Sequence, residues 1–91
     1  MYIRSFDEFN AAVAETAIAG GKPMIINFTG SSGPCHDIGP IFVTISAEAD
    51  HAGWTFRMVD VDEASDVSDA AGIYRTPTFK VYKGGEEVEV Y

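Results

Sequence analysis

A single cysteine, Cys35, stands in a chain of 91 residues. That scarcity rules out an internal disulfide and any chemistry that cycles two sulfurs of one molecule. Stability must come from burial, in a chain near the lower limit for unaided folding. Basic residues are also few, 6 against 14 acidic ones, giving a formal net charge of −8. Phosphate and anionic lipid call for clustered Lys and Arg, so nucleic acid and membrane surfaces are excluded as partners. The acidity reads as solubility. No run of about 18 apolar residues occurs, which excludes a spanning helix. The opening Met1-Tyr2-Ile3-Arg4-Ser5 turns polar too early for a secretory signal, so the expected compartment is the reducing cytoplasm. Metal ligands are scarce as well. His51 has no ligand spacing to Cys35 or His36, and no metal site is expected. Asp60, Asp62, Glu63 and Asp66 lack the glycine and terminal Glu of a calcium loop. They read as a solvated edge with acids at a helix N-terminus.

What is present suits one packed domain over residues 1–91, with a hydrophobic fraction of 46%. Ser5 and Glu8 form a capping-box pattern, with Phe6, Phe9, Val13 and Ile18 at roughly helical spacing behind it. Gly20-Gly21 ends that helix. Met24-Ile25-Ile26-Asn27-Phe28 suits a strand buried on both faces, as in a parallel sheet. After a Gly/Ser-rich turn from Thr29 to Gly33, a second helix starts near Pro34. It carries Ile38, Ile41, Phe42 and Ile45, with Pro40 as a kink. Trp54 to Val61 reads as a strand, and Glu63 to Ala71 as a short helix closed by Gly72. Thr78 to Tyr82 and Glu87 to Tyr91 alternate in polarity around Gly84-Gly85, a hairpin signature. The order helix, strand, helix, strand, helix, strand, strand predicts an α/β fold whose mixed sheet ends in an antiparallel pair.

Ser32-Gly33-Pro34-Cys35 is the most informative stretch, with Arg75-Thr76-Pro77-Thr78-Phe79 far downstream. Asn27-Phe28, Ile38-Gly39-Pro40-Ile41-Phe42 and Val59-Asp60-Val61-Asp62 stand between them or just before, in a recognisable order and spacing. With these motifs the chain resembles the thioredoxin family, above all its small cytosolic eukaryotic members, from about Ser5 to Tyr91. The resemblance implies a thioredoxin fold, a mixed central sheet flanked by helices. Family members continue into a final C-terminal helix that this chain lacks, which leaves part of one sheet face to solvent or to another molecule.

The departures bear on chemistry. Family members carry Trp-Cys-Gly-Pro-Cys, where this chain reads Ser31-Ser32-Gly33-Pro34-Cys35. The nucleophile's place is taken by Ser32, whose hydroxyl stays protonated at neutral pH without a base. The loop from Phe28 to Ser32 is one residue shorter, and its aromatic lid is replaced by Ser31. The family's buried Asp, which deprotonates the resolving cysteine, falls at Asn27, and its lysine companion falls at Met58. Losing both leaves no orphan charge. The resemblance puts a cis proline at Pro77 and makes Thr76 the backbone platform for an extended peptide.

Cys35 is read either as a small buried hydrophobe or as a monothiol that the polar serines expose. His36 lies four residues after Ser32, a weak acid–base candidate on the same helix face. Asp37 is poorly placed to orient it, so a hydrolytic triad is not expected. The expected function is a thioredoxin-like protein unfit for ordinary dithiol–disulfide exchange. Its groove is formed by Ser31, Ser32, Gly33, Pro34, Cys35, Thr76 and Pro77, and binds a peptide, a protein thiol or a small thiol compound. No cofactor is expected, with glutathione the one candidate ligand. Two other readings stand beside it. One is a non-redox enzyme of isomerase or lyase type using the same groove. The other is an interaction module or homodimer built on the uncovered sheet face.

Overall fold

The computed structural model describes residues 1–48 and 53–88. His51 and the last residues of the expected final strand, 89–91, lie outside them. In chain order the elements are α1 (Phe6–Glu15), β1 (Met24–Thr29), α2 (Gly33–Ser46), β2 (Thr55–Asp60), α3 (Ser65–Ala70), β3 (Thr78–Lys83) and β4 (Glu86–Val88). The strands form one mixed sheet in the order β2-β1-β3-β4. β1 runs parallel to β2 and antiparallel to β3, and β3 and β4 form the antiparallel hairpin. Gly84 and Gly85 both take positive φ at its tip, the conformation a two-residue turn needs to match strand twist.

Strand alternation divides the side chains between two faces. Met24, Ile26 and Phe28 of β1 join Val59, Tyr82, Phe9 of α1 and Val67 of α3 in the main core. Ile25, Asn27 and Thr29 point to the opposite face, which α2 covers. There Phe42, 5% exposed, packs edge-on to Phe56 at 5.5 Å and beside Phe79 at 5.9 Å between ring centroids.

Local signals held with adjustments. Ser5 caps α1 through a hydrogen bond from the Glu8 N–H, 3.1 Å. The Glu8 carboxylate reaches back to the Arg4 N–H rather than to that of Ser5, one residue beyond a strict capping box. Ile18 is not on the helical stripe. It falls past the end of α1 and is 63% exposed. Trp54 precedes β2 and is 42% exposed, so it is neither core nor strand. Ile41 and Ile45 of α2 are exposed, and only Cys35 and Phe42 of that helix are buried. α3 is shorter than its sequence pattern. Its start waits for Ala64 because the Asp60 side chain accepts the N–H groups of Asp62 and Glu63 in a turn ahead of it. Among the described residues no helix is long and apolar enough to cross a membrane.

Candidate functional site

The site begins with the capping of α2. Ser32 is in extended conformation and its Oγ accepts the Cys35 N–H at 3.4 Å. Pro34 occupies the first turn, where its missing N–H costs nothing. This places Cys35 at the N-terminus of a helix, whose dipole favours a thiolate. Cys35 is 4% exposed. Sequence reading allowed that the polar serines would expose it, and they do not. Ser32 folds over the sulfur, donating its hydroxyl to Sγ at 3.1 Å, and the Gly30 N–H donates to the same atom at 3.2 Å. Burial pushes the Cys35 pKa up. The hydrogen bonds from Ser32, Gly30, Thr29 and Thr76 outweigh it and lower it from 9.0 to about 7. Cys35 is thus buried and activated at once, where the sequence offered these as alternatives.

The Ser32 hydroxyl serves the sulfur rather than His36. His36 follows on the exposed side, with its backbone N–H bonded to the Ser32 carbonyl at 3.2 Å. The geometry makes Ser32 a hydrogen-bond donor and cap, not the nucleophile of a Ser–His pair. Ser31, Gly33 and Pro34 are exposed at the turn, and Thr76 and Pro77 are half-buried across from it. The Thr76–Pro77 peptide bond is cis. The two loops touch. A Cβ added to Gly30 would lie 3.1 Å from Thr76 Oγ1, so only glycine fits there without a shift.

In the sheet, register brings together Asn27 and Met58, the pair the resemblance set in place of the family's acid and lysine. Asn27 pairs with Met58 on one side and Phe79 on the other. Asn27 is fully buried, and neither amide atom has a hydrogen-bond partner. Met58 is also buried.

A cavity of about 570 Å³ opens between α2 and β2, with Met58 in its wall. Its walls include Cys35, His36, Gly39 and Val43 from α2, and Tyr2, Thr29, Gly30, Met58 and Asp60 opposite. Sequence reasoning missed Thr29, Gly30, Tyr2 and Gly39 as parts of this site. A serine three residues before the cysteine in an N-cap pattern is the signal that could have found the sulfur's hydrogen bonds. The cavity has no such signal, because it depends on how the N-terminal segment bridges to β2 at Tyr2 and Met58.

The fold and the Ser-Gly-Pro-Cys turn beside a cis proline define a single-cysteine domain of thioredoxin type. The family model described as Thioredoxin matches residues 2–91. The chain is 39% identical over 92 aligned positions to a thioredoxin of Ictalurus punctatus, covering all of this chain and 83% of that protein. It is 41% identical to a thioredoxin of Coprinus comatus, covering 96% and 78%. The crystal structure of Malassezia sympodialis thioredoxin superposes with a TM-score of 0.84 at 34% identity, covering 97% of this chain and 75% of that one. This chain belongs to the thioredoxin family.

Proposed function

We propose that this thioredoxin-family chain binds an extended peptide or a small thiol compound at the groove between Ser31–Cys35 and Thr76–Pro77, without turning over disulfides. The observation that carries the reading is the setting of its one sulfur. A dithiol cycle needs a second thiol to resolve the mixed disulfide. The only group in that place, the Ser32 hydroxyl, is a donor to Cys35 Sγ. A mixed disulfide at Cys35 would therefore persist until an external thiol, such as glutathione, released it. Thr76 and Pro77 precede Thr78, the first paired residue of β3 in its ladder with β1. The Thr76 peptide groups thus lie outside the sheet and suit pairing with a segment laid along them as a strand. A lone activated thiol fits a reducing cytosolic compartment.

The test is insulin-disulfide reduction with thioredoxin reductase and NADPH. The wild-type chain is expected to show no turnover above the uncatalysed rate. Ser32→Cys is expected to restore at best weak activity, because Asn27 and Met58 supply no titratable relay beside the sulfur. Robust wild-type turnover would end this reading, and full activity of Ser32→Cys would end the part assigned to Asn27 and Met58.

A further inference from the structure

We infer that the cavity between α2 and β2 binds a small organic cation, a protonated amine carried on an apolar body the size of a single ring, with the Asp60 carboxylate as its counter-ion. The site is separate from the peptide groove at Thr76–Pro77 and asks no chemistry of Cys35.

The cavity follows from the spacing of α2. Cys35, Gly39 and Val43 succeed each other at four-residue intervals along one face of the helix. Gly39 brings no side chain to that face, and a Cβ there would meet no atom within 4 Å. A space of about 570 Å³ is left between helix and sheet, which suits a small organic molecule. Met58, buried in β2, forms part of its wall. Pro40, Val43 and Tyr2 line the same space and are exposed. Apolar side chains scattered singly over a surface need no explanation. Here three of them share one concave wall with Met58, and together they give an apolar body a place to leave water.

Asp60 adds the polar point. It closes β2 and, in register with Thr29, stands on the α2 side of the sheet. Its Oδ1 accepts the N–H groups of Asp62 at 2.9 Å and Glu63 at 3.2 Å. These two bonds hold the carboxylate, and among the described residues nothing donates to Oδ2. No Lys or Arg side chain lines the cavity. His36 and Met1 do, and neither makes an ion pair with Asp60. Arg4 lies over the Tyr2 ring at 5.3 Å but is tied to Glu63 at 3.0 Å. A held carboxylate with one oxygen free, in the wall of an apolar cavity, selects positive charge at one end of a ligand and apolar bulk at the other. The chain's formal net charge of −8 draws cations toward it and repels anions.

The probe is phenethylamine, protonated at neutral pH, against phenethyl alcohol, an uncharged molecule of the same shape. Binding is read from backbone amide shifts in nitrogen–proton correlation spectra of the whole chain. The amine is expected to give saturable shifts at Gly39, Val43, Met58 and Asp60, with a dissociation constant of about 1 mM or tighter. The alcohol should bind at least about fivefold more weakly, lacking the charge-assisted hydrogen bond. Two variants locate the contacts. In Asp60→Asn the amide oxygen still accepts from Asp62 and Glu63 while the charge is gone, so amine binding should fall to that of the alcohol. In Gly39→Leu the new side chain fills the cavity from the helix, and the shifts from both probes should disappear. Absence of saturable shifts, equal affinity for amine and alcohol, an amine affinity unchanged in Asp60→Asn, or shifts centred on Ser31, Gly33 and Thr76 would overturn the proposal. The comparison of amine with alcohol in the wild-type chain needs no variant to fold. Neither probe carries sulfur, so this inference and the groove reading fail separately.

Discussion

Cys35 shows how much one hydroxyl can do for a sulfur. Ser32 stands where the family resemblance puts a cysteine, and its Oγ holds the thiol in thiolate-favouring contact at 3.1 Å. Alkylation by iodoacetamide is expected to follow a native midpoint near pH 7, moving toward 9.0 on denaturation. Ser32→Ala removes a lowering contact and should shift the native midpoint upward, which the same titration reads. The sign for stability follows. Because the folded pKa lies below the unfolded value, the thiolate contributes stability fully above pH 9, and that contribution is lost as pH falls through about 7. Chemical denaturation at pH 6 and pH 9, compared between wild type and Cys35→Ala, measures it. Asn27 makes the opposite case. An unpaired buried polar group costs about 1–3 kcal/mol, so Asn27→Leu is expected to raise stability by about 1 kcal/mol. A loss of that size in urea unfolding would show that the amide is paired with bound water. That Asn27 and Met58 stand together in the sheet agrees with the pairing the family resemblance implied for them. That the sulfur is buried and activated together was not legible in the sequence, because burial depends on packing, and Thr76, one of its four hydrogen-bond donors, reaches it only in space.

Among the elements, β1 and the hairpin were the most legible. A run of apolar residues flanked by turns, and two glycines between alternating strands, state their roles locally. α2 was legible in extent but not in orientation. Its apolar residues Ile38, Ile41, Phe42 and Ile45 suggest a broad buried face, yet the helix buries Phe42 and leaves Ile41 and Ile45 exposed. Periodicity marks which residues share a side and is silent on how much of that side another element covers. Phe42 carries the contact with the sheet, against Phe56 and Phe79. Phe42→Ala is expected to cost roughly 3 kcal/mol or more, the usual toll of truncating a buried aromatic. It should also speed native alkylation of Cys35 about two turns before it. An unchanged alkylation rate in a destabilised variant would mean that the α2 N-terminus is held by its cap alone.

In the whole molecule α2 and its buried Cys35 stand on one side of the sheet. α1 and α3 share the main core on the other side, with Phe9, Val67 and Tyr82. Ile41 and Ile45 of α2 and Phe79 of β3 are exposed apolar side chains. Light scattering above the monomer mass of 9.8 kDa, lost in Ile41→Asp, would place a second copy there. A monomer at high concentration would show that these side chains do not pair two copies. The fold itself was legible because several motifs fell in order along nearly the whole chain. The links between distant segments were not, and Thr16 is the clearest of them. It is 7% exposed at the end of α1, and its hydroxyl and carbonyl oxygens accept the N–H groups of Gly85 at 2.8 Å and Gly84 at 3.2 Å. Amides at a hairpin tip are ordinarily among the first to trade their hydrogens with solvent. Here both are closed off by a helix some seventy residues earlier in the chain, so in deuterated water their exchange should keep pace with the opening of α1 rather than with the fraying of β4. Thr16→Val would free the Gly85 amide alone, turning the pair of signals into a clock for how firmly the first helix holds the last strand.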